Sequence, residues 1–235
     1  MKIKAVLFDL DGTLLPLDQN EFIESYFKGL VGALLPLGID AETLGKTIWQ
    51  GTYAMIKNGG EKSNEEVFFD YFQSVCKTDI EKFRALADDF YRGGYQKLAE
   101  ITHPTPLAAR AVELAREGGR AVVLATNPLF PEYAQHSRIR FAGLEPSDFD
   151  LVTSYESEKY AKPNPQYYLS ICDRLGVKPE ECLMIGNDER EDMHAASSVG
   201  MSCYLIDDCA IRAEEYAWTG EHGSFTELIE KLKSI

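Results

Sequence analysis

The sequence has few basic residues for its size. Its 235 residues include 24 Lys and Arg against 38 Asp and Glu, which gives a formal net charge of −14 at pH 7. Nucleic acids and anionic membranes attract basic surfaces, so this charge argues against either partner. No apolar run approaches the roughly 20 residues of a membrane-spanning helix, and Asp9 interrupts the short run that follows Lys4. We therefore expect a cytoplasmic protein.

Paired cysteines and clustered histidines are also missing. The five cysteines are scattered and form no Cys-x-x-Cys motif, and the four histidines lie far apart. These spacings argue against a disulfide framework, a zinc site and histidine-based chemistry. We expect the cysteines to be reduced and to act as small apolar residues.

An apolar run near the N-terminus ends at two carboxylates. Residues Ala5–Phe8 suit a strand buried on both faces, and Asp9 and Asp11 follow it closely. Burying carboxylates at the end of such a strand costs free energy unless they face a cleft and share a cation. Gly12 indicates a tight turn directly after the second carboxylate. The start of the chain therefore predicts an active site.

Four further apolar runs are separated by segments of helical length. These runs are Ala121–Ala125, Leu151–Thr153, Cys182–Ile185 and Ser202–Ile206. Alternating strands and helices predict an α/β fold with a doubly wound, Rossmann-like parallel sheet. Such sheets place their sites at the carboxyl ends of the strands, where Asp9 lies.

Residues 16–99 show helical spacing and no strand pattern. They contain half of the aromatic residues of the chain, which indicates a second small core. We predict an α-helical cap domain of about four helices at residues 16–99. It would be inserted into a core domain of residues 1–15 plus 100–235.

Polar residues follow three other predicted strands. Thr126 and Asn127 follow the second, Lys162 comes after the third, and Asp188 and Asp192 follow the fourth. Each residue alone is explained as a helix cap or a solvated side chain. Because the carboxyl ends of parallel strands share one edge of the sheet, the four positions together predict a single site.

Repulsion between the carboxylates indicates a metal ion. Two like charges 4 Å apart repel by about 4 kcal/mol at an effective dielectric constant near 20. Asp9, Asp11 and Asp188 could gather around a phosphate only with a compensating cation. Oxygen ligands without His or Cys favour Mg²⁺, and Lys162 would supply further positive charge.

Four motifs of this sequence resemble, in their order along the chain, the motifs of the haloacid dehalogenase superfamily. They are Asp9-Leu-Asp11-Gly-Thr13, Thr126-Asn127, Lys162-Pro163 and Gly186-Asn-Asp188 through Asp192. The resemblance covers essentially the whole chain, and the inserted helices look like the C1 cap of that superfamily. The fourth motif has Gly-Asn-Asp where Gly-Asp is commoner, but it keeps the spacing from Asp188 to Asp192.

The resemblance implies a phosphatase that works through an aspartyl-phosphate. Asp9 would be the nucleophile, and Asp11 would protonate the leaving oxygen and then activate water. Thr126 and Lys162 would act in catalysis by holding phosphoryl oxygens. The further phosphate-binding residues would be Gly12, Thr13 and Asn127.

The resemblance also implies a set of Mg²⁺ ligands. They would be the Asp9 carboxylate, the Asp11 backbone carbonyl and Asp188. Asp192 would act indirectly, through water or a hydrogen bond to these ligands.

Two alternatives stay open. A sugar phosphomutase would share these core residues, although Thr13 favours a phosphatase. A phospho-receiver-like signalling protein would combine an aspartyl-phosphate, Thr, Lys and Mg²⁺, although receivers are shorter and lack inserted helices.

The expected partner is a small phosphorylated metabolite, and either a monomer or a homodimer fits the sequence. Specificity in this cap class comes from the surface that closes over the site. The candidate contacts are residues 15–17, the loop of residues 57–62, and Arg92.

Overall fold

The strands of the protein form one parallel sheet. The computed structural model describes residues 2–235. The strands are β1 (Ala5–Phe8), β2 (Ala121–Leu124), β3 (Leu151–Val152), β4 (Cys182–Gly186), β5 (Ser202–Ile206) and β6 (His222–Gly223). Their order is β3-β2-β1-β4-β5-β6, which places β1 inside the sheet, and all paired strands are parallel.

Helices and apolar cores cover both faces of the sheet. Side chains of β1 alternate between the two cores, with Val6 and Phe8 in one and Ala5 and Leu7 in the other. The first core includes α5 (Pro106–Arg116), α6 (Glu132–Phe141) and α9 (Phe225–Leu232). The second includes α7 (Pro165–Leu175) and α8 (Ala195–Ser198). The predicted doubly wound α/β fold is confirmed.

Four helices lie between β1 and α5, and we call residues 19–101 the insertion. They are α1 (Gln19–Leu34), α2 (Ala41–Ile56), α3 (Asn64–Cys76) and α4 (Ile80–Arg92), followed by a 3₁₀ segment, Gly94–Ile101. Each α-helix begins at a capping side chain, in order Asp18, Asp40, Ser63 and Asp79. Helix α2 packs on α3, and α1 packs on α4. The division into a core domain and a cap domain stays our prediction.

The two connections to the insertion run side by side. Leu17 forms an antiparallel bridge with Thr102, and the His103 amide donates to the Pro16 carbonyl at 2.8 Å.

Within residues 2–235, no single helix is long and apolar enough to cross a membrane. The pair Gln19–Leu37 and Ala41–Ile56 passes that test only jointly, and it is bent by 118°.

Candidate active site

A cavity of about 310 Å³ opens where β1, β2 and β4 end, and α1 and α2 of the insertion form its opposite wall. Several residues predicted to form the site line it: Asp9, Asp11, Thr126, Asn127, Asp188 and Asp192. Residues from three parts of the chain are therefore brought together at the predicted edge of the sheet.

Asp9 extends the central strand into the cavity. Its amide donates to the Ile185 carbonyl at 2.9 Å, which continues the pairing of β1 with β4. Its Oδ1 accepts from Lys162 Nζ at 2.7 Å, and its Oδ2 accepts from the Thr13 hydroxyl at 3.5 Å. Burial raises the pKa of Asp9 to about 8, although Lys162 opposes this shift. The carboxylate is therefore held in place but needs more positive charge than Lys162 supplies.

Lys162 lies beneath the site between two carboxylates. Its ammonium donates to Asp9 and, at 2.6 Å, to Asp192 Oδ1, and its side chain is 1% exposed. Burial lowers the pKa of Lys162, but Asp192 and Asp9 outweigh it, and the pKa lies well above its usual value. Lys162 thus stays charged. Asp192 holds Lys162 directly, and its indirect action on the metal ligands stays a prediction.

Asp188 begins a helical turn instead of lying within a helix. Its Oδ1 accepts from the amides of Arg190 and Glu191 at 2.8 and 2.7 Å. The next residues, Glu189–His194, form a π-helical turn that leads into α8. Asp188 is therefore the N-cap of this turn, and its amide donates to Asp192 Oδ2 at 3.1 Å.

Gly186 permits this close approach of Asp192. A Cβ at this position would lie 2.2 Å from Asp192 Oδ2, well inside van der Waals contact. The same carboxylate oxygen accepts from the Asn187 amide at 3.1 Å. A side chain at position 186 would displace the carboxylate that holds Lys162.

Gly12 and Thr13 shape the turn after the first motif. Gly12 has φ +80°, and a Cβ there would lie 2.3 Å from Asn187 Nδ2. The Gly12 amide donates to the Leu15 carbonyl, and the Thr13 amide donates to the Leu10 carbonyl. Thr13 is fully buried, and its hydroxyl also lies 3.3 Å from Asn187 Oδ1. Thr13 thus helps to hold Asp9, and Gly12 permits the close approach of Asn187. The binding of phosphate by Gly12 and Thr13 stays a prediction.

Thr126 and Asn127 connect neighbouring strand ends. The Thr126 carbonyl accepts from the Tyr167 hydroxyl at 2.9 Å. Asn127 Oδ1 accepts from the Lys162 amide at 3.2 Å, and Asn127 Nδ2 donates to Glu191 Oε2 at 2.9 Å. Glu191, which the sequence reasoning missed, lines the cavity. Burial, followed by the charge of Asp188, raises the pKa of Glu191 to about 7.

A buried arginine beside Asp11 was also missed. Arg138 of α6 is 1% exposed, forms an ion pair with Asp11, and donates to the Gln135 side chain. Its guanidinium lies 4.1 Å from the centroid of the Phe130 ring. Burial raises the pKa of Asp11, and Arg138 opposes this shift. The sequence spacing could have indicated that Arg138 is buried, because it comes four residues after buried Ala134 and so lies on the inward face of α6.

The donors around the cavity fit a hard divalent cation. Five carboxyl groups face two cations, Arg138 and Lys162; the carboxyl groups are Asp9, Asp11, Asp188, Glu191 and Asp192. Burial raises the pKa of four of them: Asp9, Asp11, Asp188 and Glu191. The positive charge around these groups is therefore too small to balance their anionic forms. In the described part of the chain, no group of three His, Cys, Asp or Glu side chains forms a ready-made site. The predicted Mg²⁺ ligands are not such a group, because one of them is the Asp11 backbone carbonyl. All of them are oxygen donors, which suit Mg²⁺.

The sequence profile of the haloacid dehalogenase-like hydrolase family matches residues 3–200. The chain belongs to this family. This haloacid dehalogenase-like hydrolase is 28% identical over 200 residues to a glyceraldehyde 3-phosphate phosphatase of Methanopyrus kandleri, covering 85% of this chain and 82% of the relative. It is 29% identical over 211 residues to a phosphoglycolate phosphatase of Nitrosospira multiformis, covering 88% and 84%.

The fold of this haloacid dehalogenase-like hydrolase also matches a solved relative. The crystal structure of a phosphatase of the same superfamily from Thermococcus onnurineus has a TM-score of 0.61 and 25% identity, and 98% of each chain is covered. The family resemblance found in the motifs is therefore confirmed. The protein is a hydrolase whose named relatives include phosphatases.

The cavity wall opposite the carboxylates belongs to α1 and α2. Its residues are Gln19, Phe22, Ile23, Tyr26 and Phe27 from α1, and Trp49, Thr52 and Ile56 from α2. Of the specificity contacts expected from the sequence, Leu17 lies in the wall. The loop of residues 57–62 and Arg92 lie outside it, because the docking of α1 and α2 over the strand ends decides which surface faces the site.

Proposed function

We propose that this hydrolase is a Mg²⁺-dependent phosphatase that hydrolyses a small phosphate monoester through an aspartyl-phosphate. The observation that carries the proposal is the position of Asp9, which is fixed by Lys162 at the cavity and has Asp11 beside it. The proposed substrate is a small phosphorylated metabolite of the cytoplasm. Phosphatase relatives of similar length support this reaction class.

Asp9 acts as the nucleophile, and Asp11 acts as the general acid and then the general base. An Asp9 oxygen attacks phosphorus, the bond to the leaving oxygen breaks, and Asp11 gives its proton to that oxygen. A water molecule then attacks the phosphoryl group, Asp11 takes a proton from it, and inorganic phosphate leaves as the Asp9 carboxylate is restored. Asp11 Oδ1 is buried and has no hydrogen-bond partner within residues 2–235, so it is free for both proton transfers.

The remaining residues bind and orient the phosphoryl group. Lys162 holds one Asp9 oxygen and contributes positive charge beneath it, while Thr126 and Asn127 border the cavity at the end of β2. The Asp9 carboxylate, the Asp11 carbonyl and Asp188 would hold Mg²⁺. When bound, Mg²⁺ supplies positive charge that stabilises the phosphoryl oxygens during transfer.

A substrate panel with and without metal tests the proposal. The purified protein should release phosphate from at least one ester among phosphorylated sugars, nucleotides and small organic acids when Mg²⁺ is present. Because metal ions supply several kcal/mol of transition-state stabilisation, EDTA should lower this rate by about 100-fold or more, and added Mg²⁺ should restore it.

The same assay separates this proposal from its alternatives. Phosphate release that is unchanged by EDTA, or no release from any ester, would contradict the proposal. Chromatography of sugar phosphates over time would reveal an isomerised product if the protein were a phosphomutase. A stable phosphoprotein without turnover would favour the receiver-like alternative.

A further inference from the structure

The insertion presents an uncharged surface to the cavity. Phe22, Ile23, Tyr26 and Phe27 lie along one side of α1, at helical spacing. The residues from α2 are Trp49, Thr52 and Ile56. We call these seven residues the apolar wall. In the part of the chain that the structure describes, the insertion contributes no Lys or Arg to the cavity lining.

The core side of the cavity has no spare cation either. Within residues 2–235, Arg138 is the one basic residue that lines the cavity. It is already paired with Asp11, bonded to Gln135 and stacked on Phe130. Lys162 is committed to Asp9 and Asp192. A second anionic group on the substrate would therefore meet carboxylates without a positive partner of its own.

Part of the apolar wall is exposed although its residues are large and aromatic. Trp49 is 56% exposed, and its ring centroid lies 5.5 Å from that of Phe27. The exposed indole borders the cavity that holds Asp9. Burying such surface against an apolar group is favourable, by about 25 cal/mol per Å².

A second cavity adjoins the apolar wall. It measures about 260 Å³ and shares Tyr26, Thr52 and Leu129 with the first cavity. Its lining is mixed, with apolar residues such as Leu30 and Met55 beside the charged residues Arg84, Asp88 and Glu156. The first cavity, at about 310 Å³, lies near the lower end of the range for small-ligand sites, about 300–1,000 Å³.

We propose that the substrate is a phosphate monoester of an uncharged, apolar alcohol, and that the apolar wall binds its leaving group. The proposal rests on the phosphatase function above and specifies its substrate class. The phosphoryl group would lie against Asp9, and the organic part would point towards Trp49 and Phe27. Esters with a second anionic group would be poor substrates.

Two matched esters test the selectivity. Benzyl phosphate and phosphoglycolate are both phosphates of primary alcohols, so their intrinsic reactivities are similar, but the second carries a carboxylate. We expect kcat/KM for benzyl phosphate to exceed that for phosphoglycolate by about 10–100-fold, the scale of discrimination by an apolar pocket. Equal values, or a preference for phosphoglycolate, would overturn the inference and leave the phosphatase function intact.

Two aromatic residues of α2 provide a matched pair of variants. Trp49→Ala should lower kcat/KM for benzyl phosphate by about tenfold and change that for phosphoglycolate by less than about twofold. Tyr53→Ala is the control, because Tyr53 is 52% exposed on the same helix but lies outside the cavity lining. It should leave both values unchanged.

The introduction of a positive charge completes the test. Ile23→Arg places a cation on the apolar wall and should shift the ratio of the two kcat/KM values towards phosphoglycolate by at least about tenfold. Equal loss for both esters in Trp49→Ala, or an unchanged ratio in Ile23→Arg, would overturn the inference. If the parent protein hydrolyses neither these esters nor any other, the phosphatase function fails and the inference fails with it.

Discussion

Replacing Asp9 with Asn should abolish turnover of every ester that the protein accepts. The amide cannot attack phosphorus, although it keeps the shape of the carboxylate between Lys162 and Thr13. Loss of a nucleophile lowers kcat by a factor on the order of 10⁴ or more. Phosphate release at saturating substrate and Mg²⁺ measures this loss, and mass spectrometry of acid-quenched parent enzyme should find the phosphoryl group on Asp9.

Folding must be separated from chemistry in this variant. Lys162 keeps its partner Asp192 at 2.6 Å, so Asp9→Asn should show native circular dichroism and a cooperative thermal transition. Asp173→Asn, on the exposed side of α7, is the matched control and should keep full activity. Activity of Asp9→Asn within about tenfold of the parent would contradict the nucleophile assignment.

Replacing Arg138 with Met should destabilise the fold and slow turnover. The Arg138 side chain is 1% exposed and that of Asp11 is 19% exposed, so the substitution leaves a largely buried carboxylate without its partner. Breaking a buried ion pair in this way costs about 3–5 kcal/mol. We expect the free energy of unfolding, measured with urea, to fall by about 3 kcal/mol or more. The loss of orientation at Asp11 should lower kcat as well.

A double-mutant cycle shows whether the pair with Asp11 is the cause. Removing both charges, as in Arg138→Met with Asp11→Asn, should recover part of the lost stability, because no unpaired charge is left. Arg140→Met is the matched control on the same helix, where Arg140 pairs with Glu145 at the surface and is 54% exposed. It should cost less than about 1 kcal/mol. A similar cost for both arginines, or additive effects in the cycle, would argue against the buried pair.

Most of the sheet could be predicted from the sequence, because buried parallel strands are short apolar runs. Ala5–Phe8 and Ser202–Ile206 match their predicted bounds. The sixth strand, His222–Gly223, has no apolar run and exists because its backbone pairs with β5. Its position is a consequence of tertiary structure, and no local pattern predicts it.

The site was predictable where it depends on strand ends and less so where it depends on helix packing. Asp9, Thr126 and Asp188 each lie one or two residues after a strand, so the parallel topology alone brings them together. Arg138 contacts Asp11 across 127 positions of the chain, and only the docking of α6 reveals that pair. The wall from α1 and α2 was missed for the same reason.

The side-by-side connections of the insertion bear on how new activities arise in evolution. Leu17 and Thr102 are bridged, so the chain enters and leaves the insertion at adjacent positions. The carboxylates proposed to act in catalysis lie at the strand ends, while α1 and α2 form the opposite wall. A lineage could therefore exchange or remodel this stretch of the gene and acquire new substrates while the inherited chemistry stayed unchanged.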